Sequence, residues 1–456
     1  MLKKWTTFSP KAMVIGGAIS LPVVLLILFL PLKPVSKEQL KLMECWTKLQ
    51  NNTLSAIAKN SPIIEDSQKP DIAKGNAAKK NVIKRKRKIP LVPISMSPFM
   101  CCQGKSACQD GQLWGEYGVP GDKQALLNSI SQSLKYLQSE AAVNAYKDYR
   151  VQSINRDRVI RSLLRFRQLV MAAKNPRELQ QAVEKEFQFY QSVGSDRLGG
   201  VLYTAYYEPM YEASKVATPE FRYPIYRRPP DLDSWPRPHP TRTELEGVDG
   251  LQADKGKLKG LEFFWFRQRL EPFMIQIQGS ARLKLTDGTE TTVGYAGNTR
   301  QDYVSIGKAL ADDGKFPLDG LRMPDIIKYF ENHPEELNTY IPRDPSFVFF
   351  KENFGAPAMG SISVPVTADR SIATDKSVMP PGALAMIHST MPLAKQDGSL
   401  HYPIITRFVL DQDTGGAIRG AGRVDYFAGT GKIAGDRAGM TASNGKLFYL
   451  LLKDRK

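Results

Sequence analysis

The chain has 456 residues, 42% of them hydrophobic, and a formal net charge of +17. That length allows two or three domains with buried cores. The charge excludes little until it is mapped: residues 1–88 hold 17 Lys/Arg against 5 Asp/Glu, residues 89–456 keep a net of only +5, and no basic face interleaved with aromatics marks a nucleic-acid binder.

Cys45, Cys101, Cys102 and Cys108 form no CxxC pair, and His239, His333, His388 and His401 are scattered without HExxH spacing. Neither a metal nor a cofactor is therefore expected. Pairing of Cys101 or Cys102 with Cys108 in an oxidising compartment stands beside free thiols as an open alternative.

In chain order, Ala12 to Leu32 is a run of 21 uncharged residues. As a helix it would span roughly 30 Å, enough to cross a bilayer. It is read as an uncleaved N-terminal membrane anchor. A cleaved signal peptide is the alternative, against which stand the length of the run and the lack of an A-x-A-like site before Lys33. Lysines flank the run on both sides, so the positive-inside rule does not orient it. Residues 33–112 read as a basic flexible tether whose strongest run is Lys84-Arg85-Lys86-Arg87-Lys88, suited to solvent, anionic lipid headgroups or anionic wall polymers.

Ordered sequence is expected from Leu113-Trp114. Asp122 is placed as the N-cap of a helix burying Leu126, Leu127, Ile130, Leu134 and Leu137. A second helix runs through Val159, Leu163 and Leu169. A third starts at Asn175-Pro176 and buries Leu179, Val183 and Phe187. After Gly199 strands dominate: Val201 to Tyr207, Tyr223 to Tyr226, and Phe273 to Leu283 with a period of two. Asp287-Gly288 signals a hairpin between Leu283-Lys284-Leu285 and Thr291-Thr292-Val293. A helix from Pro324 to Glu331 precedes strands at Phe347 to Phe350 and Leu447 to Leu451. Short strands with Gly and Pro punctuation point to one or two β-barrels.

The candidate chemistry lies in three aspartates: Asp375, Asp413 and Asp425, with Gly429, Gly431, Gly435 and Gly439 around them. Carboxylates on glycine-rich backbone suit acid/base work on a polar substrate that approaches the main chain. Turns between short strands use the same residues.

Seven ordered segments resemble the membrane-bound lytic murein transglycosylase A family over roughly residues 113–453, the C-terminal part resembling its three-aspartate "3D" domain. They are Tyr206-Tyr207-Glu208-Pro209, Pro224-Ile225-Tyr226-Arg227-Arg228-Pro229, Gln276-Ile277-Gln278-Gly279-Ser280, Gly294-Tyr295-Ala296-Gly297, Ser305-Ile306-Gly307-Lys308, Pro345 to Phe350, and the aspartates. The resemblance implies a mainly β fold with a few helices. In it a double-psi β-barrel domain (113–203 and 346–456) receives an inserted second β-barrel domain (204–345), and the glycan lies between them.

The resemblance also implies cleavage of the β-1,4 bond between N-acetylmuramic acid and N-acetylglucosamine in peptidoglycan, leaving a 1,6-anhydro ring. Asp425 matches the single catalytic aspartate. Asp413 is a supporting neighbour or binds loop amides, and Asp375 is read as structural. Tyr206, Tyr207, Gln278, Ser280 and Ser305 are candidate sugar contacts. This chain has Ala281 where the family usually has Gly, and Ala428 where an aromatic is common. The expected partners are glycan strands and, through residues 12–32, the membrane, with the catalytic part on the periplasmic side; no protein partner is specified. The competing readings are a hydrolase using Asp413 or Glu208 as a base for water, and a non-catalytic glycan-binding scaffold.

Overall fold

The computed structural model describes residues 89–95, 97–98 and 109–454. The anchor read at residues 12–32, most of the tether and all four cysteines lie outside them. Among the described residues no helix is long and apolar enough to cross a membrane.

The first element, β1 (Leu91–Ile94), falls inside the span read as a tether. The tether reading is corrected there, because Leu91, Val92 and Ile94 are buried. Four helices follow: α1 (Lys123–Leu137), α2 (Glu140–Lys147), α3 (Arg156–Ala172) and α4 (Pro176–Glu186). Asn175 Oδ1 accepts the Glu178 amide at 2.9 Å and Pro176 occupies the first turn of α4, as its sequence predicts. Phe187 is buried but leaves the helix and opens β2 (Phe187–Ser192), the partner of β1. Asp122 flanks α1 without capping it. Its carboxylate is instead held by the buried Arg370, which also binds Asp110.

Next come β3 (Val201–Glu208), β4 (Met210–Ala213), β5 (Tyr223–Tyr226), α5 (Arg242–Glu246), β6 (Glu262–Phe266) and α6 (Leu270–Gln278). They are followed by β7 (Ser280–Leu285), β8 (Glu290–Asn298), α7 (Ile306–Asp312), α8 (Met323–Asn332), α9 (Leu337–Tyr340) and β9 (Val348–Glu352). The last stretch holds β10 (Ser371–Ala373), β11 (Leu384–Thr390), β12 (Leu393–Ala394), β13 (Leu400–His401), β14 (Ile404–Asp413), β15 (Arg423–Thr430), α10 (Lys432–Met440) and β16 (Ser443–Leu452).

Six of these strands form a ring in the order β16, β11, β14, β10, β15, β3, and β3 returns to β16. The β10–β14 and β15–β3 joints are parallel and the other four antiparallel. Closure leaves no unpaired edge within the ring. Alternate residues such as Tyr203, Ile372, Phe408, Val424 and Tyr426 fill one core with residues of α1, α3 and α4; the Phe166 ring of α3 lies 4.9 Å from that of Phe408.

Between β3 and β10 the strands β4, β7, β8 and β9 form a second sheet, and β5 pairs with β6. The expected hairpin is present, with Leu283 opposite Thr291. Two sequence readings are corrected. Phe273 to Gln278 is the helix α6, not a strand, with Gly279 in the left-handed conformation (φ 80°) as its stop. Val348–Glu352 pairs with β8, so a boundary at 345/346 cuts through this sheet.

Candidate active site

The register of the ring gathers the aspartates. Ala373, the last residue of β10, is paired with Asp413 of β14 on one side and Asp425 of β15 on the other. Asp375 follows two residues after Ala373. The three therefore converge on one end of a three-residue strand, although 50 residues separate the first from the last.

Asp425 is half-buried on the outer face of β15, and β3 runs parallel beside it with Thr204 opposite. The Thr204 hydroxyl donates to Asp425 Oδ1 at 2.7 Å. Burial pushes the Asp425 carboxyl up to about 6; the Thr204 bond and the Arg423 charge pull against this, and Asp413 adds a smaller push upward. A carboxylic acid held near neutrality can give a proton and take one back.

Asp413 is more fully occupied. Its Oδ2 accepts the Tyr206 hydroxyl at 2.7 Å, and its Oδ1 accepts the Ser361 and Thr414 amides, each at 2.8 Å. Burial still raises its pKa against those three donors and the Lys376 charge. Lys376 Nζ binds the Asp413 carbonyl and Asp411, fixing the end of β14. Asp375 accepts the Ser377 hydroxyl at 2.7 Å, the Ser377 amide at 3.0 Å and the Gly420 amide at 2.7 Å. It ties the loop after β10 to the loop before β15.

The candidate sugar contacts divide. Tyr206 holds Asp413, and its ring lies 5.1 Å from that of Phe427, tilted by 44°. The Tyr207 ring packs on Gly435, where a Cβ would stand 2.8 Å from it. Gly439, one turn on, gives the same close approach to Pro324 of α8. These two glycines thus pack α10 against β3 and α8, a role the sequence did not reveal. Gly429 (φ 110°) and Gly431 (φ 84°) do need their backbone freedom.

Gln278, the last residue of α6, accepts the Tyr207 amide at 3.0 Å and so couples the inserted stretch to the ring. Ser280 is buried at the start of β7. Ser305 caps α7, accepting the Lys308 amide at 3.3 Å. Its neighbour Tyr303 is a site residue the sequence reading missed, as are Thr204 and Arg423. Tyr303 as a whole is 37% exposed, yet desolvation of its hydroxyl pushes that group up to about 12. Asp344 and, more weakly, the Asp425 charge add to this, while a hydrogen bond with Ser305 and the Arg423 charge pull against it. Arg423 was legible in principle: two residues before Asp425 on a strand, it shares that face.

Glu208, weighed above as a base, is buried, accepts the Thr430 hydroxyl at 2.9 Å and lies 3.7 Å from Arg282. For a metal, one group among the described residues brings three potential ligand atoms within 4.8 Å: His333, Glu335 and Glu336. It lies beyond α8, and Glu336 is already bound by Lys315 and Tyr329.

Comparison with known proteins bears on this arrangement. Residues 202–351 match the MltA specific insert domain and residues 370–451 the 3D domain. Membrane-bound lytic murein transglycosylase A of Escherichia coli strain K12 is 34% identical over 263 residues, 57% of this chain and 68% of that protein. The chain belongs to the membrane-bound lytic murein transglycosylase A family. The Vibrio cholerae member is 31% identical over 265 residues, again 57% of this chain and 68% of that protein. Among solved structures, E. coli MltA with bound chitohexaose matches with a TM-score of 0.60 and 26% identity, covering 80% of this chain and 95% of that one. A membrane-bound lytic murein transglycosylase from Agrobacterium tumefaciens gives 0.58 and 26%, covering 73% and 93%. The fold is of the MltA type, mainly β with some helices. Against the family pattern, Ala281 is a buried residue of β7 opposite Val293. Ala428 is buried against Ala434 and Ala438, facing α10.

Proposed function

We propose that this protein is a peptidoglycan lytic transglycosylase in which Asp425 carries the acid/base chemistry. The observation that supports this most is the unequal state of two neighbouring carboxyls. Asp425 has one hydroxyl donor and a pKa pushed up to about 6. Asp413 is held by a tyrosine hydroxyl and two amides. Glycoside hydrolases use a second carboxylate as nucleophile or as base for water. A carboxylate pinned by three donors is poorly placed for either task.

Muramic acid removes the need for it, because its own 6-hydroxyl can attack C1. The protonated Asp425 gives its proton to the glycosidic oxygen as the C1–O4 bond breaks. The resulting carboxylate then takes the proton of the 6-hydroxyl as its oxygen bonds to C1, closing the anhydro ring and regenerating the acid. Holding both reactants on one sugar is worth up to roughly 7–11 kcal/mol when they are well oriented.

In this reading the ring of six strands is the double-psi β-barrel, which its two parallel joints favour. The stretch from β4 to β9 is the inserted barrel, ending near residue 352, and the glycan lies between Asp425 and the Tyr303–Ser305 segment. Tyr206 and Gln278 act through what they hold. Residues 12–32 anchor the chain, leaving residues 33–456 on the periplasmic side.

Mass spectrometry of the fragments released from purified sacculi tests the reaction type. The expected ends are anhydro-muramic acid, lighter by one water. Reducing muramic acid ends would instead mean hydrolysis.

A further inference from the structure

The strand that presents Asp425 presents a second charge that the reaction above does not use. Arg423 shares the outer face of β15 with Asp425, while Val424 between them is buried inside the ring. Its Nη2 donates to Thr204 Oγ1 at 3.2 Å, the same hydroxyl that donates to Asp425. Its Nε is buried and makes no hydrogen bond. Among the described residues no carboxylate stands within ion-pair distance of this guanidinium, in contrast to the buried Arg370 and Arg407 and the largely covered Arg437. A guanidinium offers five donors in a planar fork. One bond to a neutral hydroxyl leaves most of that capacity free at a half-buried position, where an unpaired charge is costly.

The unused donors lie beside the acid that breaks the glycosidic bond. With the transglycosylase reading, on which this inference rests, the sugar nearest them is N-acetylmuramic acid. That sugar differs from N-acetylglucosamine by the 3-O-lactyl group. We infer that Arg423 is a specificity-determining residue that binds a carboxylate borne on the lactyl arm of the muramic acid, and so sets that sugar, rather than N-acetylglucosamine, with its C1 at Asp425. The carboxylate is either the lactyl group's own or one on the peptide attached to it. The planar fork matches a carboxylate with two parallel bonds, which an ammonium does not reproduce. Tyr303, on the inserted stretch, is acted on by both the Arg423 and the Asp425 charges.

Binding to protein carrying Asp425→Asn, which holds substrate without turning it over, provides the test. Three probes are compared: chitohexaose, peptide-free glycan with free lactyl carboxylates, and peptide-bearing glycan. Arg423→Gln is expected to weaken muramic-acid-containing probes roughly 10- to 100-fold and to leave chitohexaose affinity unchanged, which also shows that the variant is folded. Arg423→Lys should recover only part of the loss. Loss confined to peptide-free glycan assigns the lactyl carboxylate; loss confined to peptide-bearing glycan assigns the peptide; loss on both assigns the shared arm. Equal weakening of all three probes, or of none, overturns the inference. Failure of the transglycosylase reading would appear separately, as unmodified protein that releases no anhydro ends.

Discussion

Asp413 and Asp425 are both paired with Ala373, one through the parallel β14–β10 register and the other through the antiparallel β10–β15 register. Two interstrand spacings set their backbones about 10 Å apart. At that distance Asp413 contributes a small upward push to the acidity of Asp425 without sharing its proton. The resulting division of labour, one carboxyl poised and one pinned, leads to specific expectations.

The rate should follow the acid form of Asp425. Burial pushes that carboxyl up to about 6, and the first step requires it protonated, so kcat/KM on glycan should fall as pH rises through about 6. A pH profile on a soluble glycan substrate measures this. An alkaline limb near pH ~4, the ordinary carboxylate range, would contradict it.

The same shift has a cost in stability. Because the folded pKa lies above the unfolded value of 3.8, the favourable contribution is full below about 4 and is lost as pH rises through about 6. Asp425→Asn keeps an oxygen for the Thr204 hydroxyl and removes the buried charge. Unfolding by urea should show the variant more stable than the parent at pH ~8, by at most about 3 kcal/mol, and equal to it at pH ~4.

Asp375 has the opposite sign. Burial alone would raise its pKa, but the hydroxyl and amide donors of Ser377 and the Gly420 amide bring it below 3.8. Its stabilisation is therefore present above the ordinary value and lost as pH falls through the folded one. Asp375→Ala should cost roughly 1–3 kcal/mol at pH ~7, with the difference from the parent shrinking in acid. Equal unfolding midpoints at neutral pH would remove Asp375 from its loop-tying role.

Tyr206→Phe tests whether the Tyr206 hydroxyl serves Asp413 or a sugar. The ring contact with Phe427 survives, while Asp413 Oδ2 loses its hydroxyl donor. The expected result is a loss of about 1–3 kcal/mol in stability with chitohexaose affinity unchanged. A large loss of affinity in a protein of unchanged stability would instead assign the hydroxyl to a sugar contact.

Local signals carried the reading of the sequence as far as they could. Asn175-Pro176 and Asp287-Gly288 each contain their own structural cause within four residues, and both elements form as expected. The segment from Phe273 to Gln278 misleads because Ile275-Gln276-Ile277-Gln278 alternates like a strand. In the fold, α6 is buried nearly all round, and even Gln276 is inside, accepting from Arg242 and the Val348 amide. A helix without a polar face shows no 3.6-residue period. Asp122 fails for a different reason: its partner Arg370 lies 248 residues away. Asp425 was found because a motif marks it, whereas Thr204 and Tyr303 come from other segments and meet it only through strand register and the inserted stretch.

The central claim is that one carboxyl does both proton transfers. Purified protein with Asp425→Asn, digested against sacculi beside the parent, tests it most directly. The account predicts that the variant still binds glycan and releases anhydro fragments at least roughly 100-fold more slowly. Release at the parent's rate would contradict it.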